Sequence, residues 1–213
     1  MQLRDVIPSQ EIKTRFGSSI KTLELGLQSM ASIITMDGAD VHATALNVWN
    51  RIVQNQLKPV DPQAIAPWVN AQDPRIYKQI EKLIGAPVFT DAAYFSARTT
   101  DAFVARVILF RVFPNSLHLS DVYFQNPAEP LPPSERKRFR EYRGYGLLPT
   151  LMDNMKAFAR EHGVEYLTLT AASDDLIPLF EKHGFTVEDN EMGRICIESG
   201  MCIPMEQRMI PHS

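Results

Sequence analysis

Several things are scarce in this chain. Cysteine occurs twice in 213 residues, as Cys196 and Cys202. Two thiols are too few for a zinc site, and no His/Cys cluster joins them. They are expected to be free thiols in a reducing cytoplasm. Long apolar runs are missing, so no segment reads as a membrane span. The opening stretch MQLRDVIPSQ has no apolar core of the secretory type. Excess positive charge is missing as well. The net charge is −3 and the pI is about 6.0, which argues against a nucleic-acid binder working through a basic face. No metal constellation, Ser-His-Asp set or phosphate-loop lysine stands out. Internal repeats and low-complexity tracts are absent.

What remains is an ordinary globular composition, 45% hydrophobic and 22% charged. Such a chain can bury a full core in one large domain or two small ones.

The first 85 residues read as mainly helical after a short opening strand at Leu3–Ile7. Ile20, Leu23, Leu27, Met30 and Ile34 suggest one helix. Asp40 is placed to cap a second, with Val41, Ala45, Val48, Trp49 and Ile52 on one face. Asp73-Pro74 opens a third through Ile76, Ile80, Leu83 and Ile84, which Gly85 ends. The two tryptophans, Trp49 and Trp68, read as packing residues, and His42 reads as a helix surface residue.

After Gly85 the character changes. AYFSARTT and AFVARVILFRVF are rich in β-branched and aromatic residues, and LHLSDVYFQN follows as a third strand. PAEPLPPSERKRF has four prolines in its first seven residues and reads as a loop. VEYLTLTA reads as a buried strand and DDLIPLFEKHGF as a short helix closed by Gly184. FTVEDNE and ICIESGMCIPMEQRM supply one or two last strands. The expected fold is α/β (α+β): a mixed, mostly antiparallel sheet flanked by helices, with an extended helical N-terminal segment. The expected division is 1–85, helical and shaping the substrate site, and 86–213, the core.

The most informative stretch is REYRGYGLLPTLMDNMKAFAREHG. Leu148, Leu151, Met152, Met155 and Phe158 mark one helix face, and Pro149 sits in the first turn, where a missing N–H costs nothing. Gly144 and Gly146 feed that helix. A helix N-terminus offers free N–H groups and partial positive charge, and glycines let a ligand approach the backbone. The combination suits a phosphate; a tight loop before a capped helix is the plain alternative. Arg136, Lys137, Arg138, Arg140 and Arg143 lie just ahead of it. They read either as a solvated face or as attraction for a phosphorylated ligand.

Two stretches in this order resemble the GNAT superfamily of N-acyltransferases. One is Glu141-Tyr142-Arg143-Gly144-Tyr145-Gly146, against a family pattern of Gln or Arg, two residues, Gly, one residue, Gly or Ala. Glu141 departs from it. The other is LFEKHGF, Leu179–Phe185, with Phe180 where the family has Tyr. CIPMEQRMI resembles the family's last strand, and the likeness covers about residues 86–210.

The resemblance implies acetyl-CoA or a longer acyl-CoA as co-substrate and an amine of a small molecule or peptide as acceptor, with no metal. It implies that the pyrophosphate lies on the amides of Arg143, Gly144, Tyr145, Gly146 and Leu147. The pantetheine arm would pair with the strand near Tyr123, Phe124 and Gln125, in a slot opened by a bulge. Phe180 would stand beside the cofactor, but it cannot protonate the departing thiolate as the family Tyr does. Ser173 becomes a candidate donor or water holder, and also a plain helix cap. Asp121 is the candidate base, or else a partnered polar residue at a bend; alternation puts it with Leu117, Leu119 and Tyr123, and His118 opposite, unless the bulge resets the phase. His183 reads as a surface residue. The acceptor would enter between the N-terminal helices and the 127–140 loop. Two alternatives stay open: a GNAT-like protein that binds CoA or a partner without catalysis, and an enzyme that modifies a docked peptide. The oligomeric state is open, a homodimer being one option.

Overall fold

The computed structural model describes residues 1–100, 102–136 and 141–209. A 3-10 turn at Leu3–Val6 leads into α1 (Ser9–Phe16), β1 (Lys21–Gly26) and α2 (Met30–Gln54). Next come α3 (Ala66–Asn70), α4 (Ile76–Ile84), β2 (Phe89–Arg98), β3 (Phe103–Val112) and β4 (Ser116–Pro130). The chain continues through β5 (Tyr142–Gly144), α5 (Leu148–Glu161), β6 (Tyr166–Ser173) and α6 (Ile177–Glu181). It closes with β7 (Thr186–Val187), α7 (Glu191–Ser199) and β8 (Met201–Arg208).

The main sheet has the order β1-β2-β3-β4-β6-β8-β7, with β5 paired to β4 off this path. Among the described residues only β4 and β6 run parallel, through Ser116–Leu119 and Tyr166–Leu169. The expected mixed, mostly antiparallel sheet is therefore present. Its two faces carry separate cores. On one, Val107, Leu109, Leu117 and Leu119 meet Leu151, Met155 and Phe158 of α5. On the other, Ala92, Tyr94, Ile108 and Phe110 meet Ile33, Val41, Val48 and Ile52 of α2 and Ile80 of α4. Among the described residues no helix is long and apolar enough to cross a membrane.

Several local expectations are corrected. Leu3–Ile7 is not a strand: Leu3–Val6 forms a 3-10 turn, with the Asp5 carboxylate accepting from the Gln2 N–H. The helix expected over 20–34 is instead β1 followed by the start of α2. β2 has an open outer edge, and Lys21–Gly26 pairs along it from Arg98 to Ala93; pairing overrides a chance helical spacing. Asp40 is not a cap, because α2 continues through it and breaks at Asp37 (φ −139°, ψ 47°), three residues earlier. Ile195–Ser199 is helical rather than extended. The Asn190 side chain accepts from the Gly193 N–H at 2.8 Å, and Gly200 ends the helix at φ 67°. The 127–140 loop is also shorter than expected, since β4 runs on to Pro130. The third helix and its Gly85 stop (φ 66°) are present, but it starts at Ile76, not at the Asp73-Pro74 pair: Arg75 stands in the cap position and the Asp73 carboxylate accepts from the Arg75 N–H at 2.8 Å.

Candidate active site

The site begins with one extra residue in β4. Leu119 pairs with Leu109 and Asp121 with Ile108, so Ser120 has no opposite number on β3. A bulge bends a strand and resets its alternation. Here it turns Asp121 away from Leu117 and Leu119 to the α2 face, the face of Ile108. The simple alternation was wrong: Asp121 shares its face with His118, not with the leucines. The bend also ends the β4–β6 pairing at Leu119. Further along, Gly144 of β5 faces Gln125. Between these limits, Ser120–Phe124 has no strand on the β6 side among the described residues. Gln125, expected to pair with a ligand, already faces Gly144.

The glycine turn closes the far end of this open edge. A Cβ on Gly144 would lie 3.2 Å from the Phe124 carbonyl oxygen, and Gly146 has φ 70°. Each glycine thus has its own reason to be there. Leu147 is buried at the head of α5, and Arg143 is exposed. Tyr145 does not float over the turn. Its ring packs edge-on to Phe16 at 5.0 Å, with the Arg15 guanidinium 5.2 Å from its centroid. Burial pushes the Tyr145 hydroxyl up to about 12. Of the basic run, Arg136 donates to the Leu131 carbonyl at 2.9 Å; Lys137, Arg138 and Arg140 lie outside the described residues.

On the α2 face, several carboxylates surround one cation. Arg106 donates through Nε to Asp121 and through Nη1 to Asp37 at 2.5 Å. Asp37 is the residue at the α2 break. Burial raises the Asp121 pKa even though Arg106 opposes it. Asp40, one turn on, has a carboxyl pushed up to about 7, first by burial and then by the Asp121 charge. Its backbone carbonyl accepts from the Ser120 hydroxyl at 3.3 Å, and Ser120 also bonds Thr44 at 2.9 Å. The bulge is therefore tied to the second half of α2. Sequence reading missed Asp37, Asp40 and Arg106 as site residues. The available signal was an Asp-Gly pair inside a helical pattern and an arginine inside an apolar strand.

The other candidates are placed as follows. Ser173 ends β6 and is 8% exposed; its hydroxyl donates to Asp175 and makes no backbone cap. Phe180 is 6% exposed and packs against Phe185 in the α5-face core. Tyr123 faces Arg106 across the β3–β4 pair, and Phe124 enters the α5-face core. His118 is buried and bonded to Thr168 at 2.9 Å; burial pushes it down to about 3, so it stays neutral. His42 is half-buried, with Nδ1 3.1 Å from the Asp73 carbonyl. Cys196 and Cys202 are free. Among the described residues no three His, Cys, Asp or Glu side chains group as metal ligands would.

No family profile and no curated protein matches this chain. Solved structures do. The chain is similar to nourseothricin acetyltransferase, with 21% identity over 56% of this chain and 66% of that one, at a TM-score of 0.35. It thus spans just under two thirds of that protein. It is similar to the PaiA N-acetyltransferase of Thermoplasma acidophilum in complex with coenzyme A, with 14% identity over 89% and 99%, at 0.36. It is also similar to an acetyltransferase of the GNAT family from Staphylococcus aureus Mu50, with 13% identity over 90% and 99%, at 0.39. These scores lie below 0.5, so the fold is read from the chain itself. It has the mixed, mostly antiparallel sheet and the bulged strand that the resemblance in sequence implied, with β4 diverging from β6 beyond the bulge.

Proposed function

We propose that this chain is an acyl-CoA-dependent N-acyltransferase acting by direct attack in a ternary complex. One observation carries the reading. The open edge of β4, Ser120–Phe124, is bounded at one end by β6 and at the other by the glycine turn that heads α5. An extended pantetheine arm suits such an edge, since it can take up backbone hydrogen bonds that no strand is using. The pyrophosphate then falls on the amides of residues 143–147, at a 14-residue helix N-terminus.

The chemistry needs a neutral amine and a held thioester. Asp121 was the first candidate base, but it is held by Arg106. Asp40 lies beside it, with a pKa of about 7 and no cation bonded to its carboxylate among the described residues. We assign Asp40 as the base and Asp121 as the group that tunes it. Asp40 takes the proton of the acceptor ammonium. The amine attacks the thioester carbonyl, polarised by a backbone N–H of the open β4 edge. The carbon–sulfur bond breaks and the thiolate leaves. Phe180 has no proton to give and the Ser173 hydroxyl is engaged with Asp175, so the second proton, lost by the attacking nitrogen as the amide forms, passes through water to the thiolate.

The test is melting temperature against CoA, acetyl-CoA and longer acyl-CoAs, followed by release of free thiol with an amine panel. A ligand at a hundredfold its Kd adds roughly 2.7 kcal/mol. Stabilisation with thiol release supports the enzyme. Stabilisation without release with any amine supports the second reading, a CoA binder without catalysis, which Phe180 motivates. No stabilisation rules out both.

A further inference from the structure

The contact between α1 and the glycine turn joins residues 130 positions apart. The Arg15 Nη1 donates to the backbone carbonyl of Tyr145 at 3.0 Å. The guanidinium also lies over the Tyr145 ring, and Phe16 packs against that ring's edge. On the other side, the Tyr145 hydroxyl reaches Asn126 of β4 at 3.5 Å. The residue between the two glycines is thus held from both directions, although the turn itself is short and exposed.

The carbonyl bond has a consequence for the next amide. In a planar trans peptide, the C=O of one residue and the N–H of the next point in opposite directions. Fixing the Tyr145 carbonyl toward α1 therefore aims the Gly146 N–H away from α1. Peptides preceding a glycine are the ones that rotate between two turn types at low cost, because the glycine accepts either sign of φ. In the rotated form the Tyr145 carbonyl oxygen, not the Gly146 N–H, would face an approaching anion.

We propose that Arg15 is a positioning residue of the pyrophosphate site: it holds the Tyr145–Gly146 peptide in the orientation that offers the Gly146 N–H to the ligand. The ligand rests on the acyl-CoA reading above; the orientation does not. Arg15 acts through Tyr145 and needs no contact with the ligand. Lys13, two residues earlier, pairs with Glu24 of β1, which anchors α1 on the sheet and leaves Arg15 to serve the turn.

The experiment compares wild type, R15A and R15K by titration with CoA, by turnover with acyl-CoA and acyl-pantetheine, and by the Gly146 amide NMR signal. In R15A the competent fraction falls, so the CoA Kd rises by roughly three- to tenfold, while kcat at saturation is unchanged. The KM for acyl-pantetheine, which has no pyrophosphate, does not move. R15K keeps a charged donor and recovers most of the affinity. The Gly146 amide gives one sharp signal in wild type and a split or exchange-broadened one in R15A. An unchanged Gly146 signal in R15A overturns the proposal whatever the wild type does with CoA. Equal loss toward acyl-pantetheine also overturns it, since that marks general damage. A wild type that ignores CoA overturns the acyltransferase reading alone, and the NMR comparison still decides the orientation.

Discussion

The two faces of the sheet are built from alternate residues of the same strands, yet they differ in kind. Toward α5, β3 and β4 present Val107, Leu109, Leu117, Leu119 and Phe124, an apolar surface with a cation, Arg111 of β3, over the Phe158 ring at its end. Toward α2 the same strands present Arg106, Ile108 and Phe110 from β3, and His118 and Asp121 from β4. Most polar groups on that second face have a partner: Arg106 with Asp37 and Asp121, His118 with Thr168, Arg51 with Glu188 and Glu206; the buried Ser116 hydroxyl has none among the described residues. One face maximises burial. The other gives up some burial to hold charge beside the open edge of β4, where an acceptor amine would arrive. Stability and chemistry are separated by the pleat of the strand.

That separation can be broken by substitution. The largest effect expected is on the apolar face. Phe158→Ala empties a position 2% exposed in the last turn of α5 and should cost about 3–5 kcal/mol in chemical denaturation. Turnover per folded molecule stays near that of wild type.

On the polar face the pattern inverts for Asp40. Asp40→Asn should lower kcat/KM by about a hundredfold or more without loss of stability. In the wild type kcat/KM rises with pH as Asp40 loses its proton and levels off above about 7; in the variant that limb is absent. The folded chain holds this proton more tightly than the unfolded chain, whose value is 3.8, so burial costs stability once the proton must leave. Wild-type stability should therefore decline as pH rises from about 4 to about 7, and the Asn variant should lack that decline. A variant with full activity, or an unchanged pH profile, would remove Asp40 from the mechanism.

Arg106→Met strips the shared cation from Asp37 and Asp121. With the Arg106 side chain 35% exposed, the loss should be about 2 kcal/mol, measured by urea unfolding at pH 7, and smaller in acid as Asp121, whose pKa burial raises, takes up a proton. The smallest effect belongs to the turn. Gly146→Ala places a side chain at φ 70° and should cost about 1 kcal/mol in stability, yet it should raise the KM for acyl-CoA more than that for acyl-pantetheine. Equal changes in both would separate the turn from the pyrophosphate.

The contrast between the faces also tracks what could be read in advance. The α5 side was legible because its signals are local. The spacing of Leu148, Leu151, Met155 and Phe158, the first-turn Pro149 and the paired glycines all sit within one stretch of chain. The α2 side was not legible, because its decisive contacts are distant. Ser120 bonds Asp40 across 80 positions, and Arg106 bonds Asp37 across 69. β1 escaped for the same reason: Lys21–Gly26 is a strand only because β2 has an edge to pair. Ile195–Ser199 was misread although its caps, Asn190 and Gly200, were in plain view.

By itself, then, the amino-acid order determined the elements whose hydrogen bonds close within a few residues: α4 with its Gly85 stop, α5 with its first-turn proline, and the two-glycine turn ahead of it. It also determined the strand-rich character of residues 86–130, through β-branched and aromatic residues. Tertiary structure alone decided which way Asp121 faces. That depends on a count of residues in two paired strands, and one unmatched residue, Ser120, reverses the alternation for everything after it. Tertiary structure alone also decided that the Asp40 carboxyl is pushed up to about 7. Its burial comes from α2 packing on a strand 80 residues away, and no local pattern carries a desolvation cost that arises only when two distant segments meet.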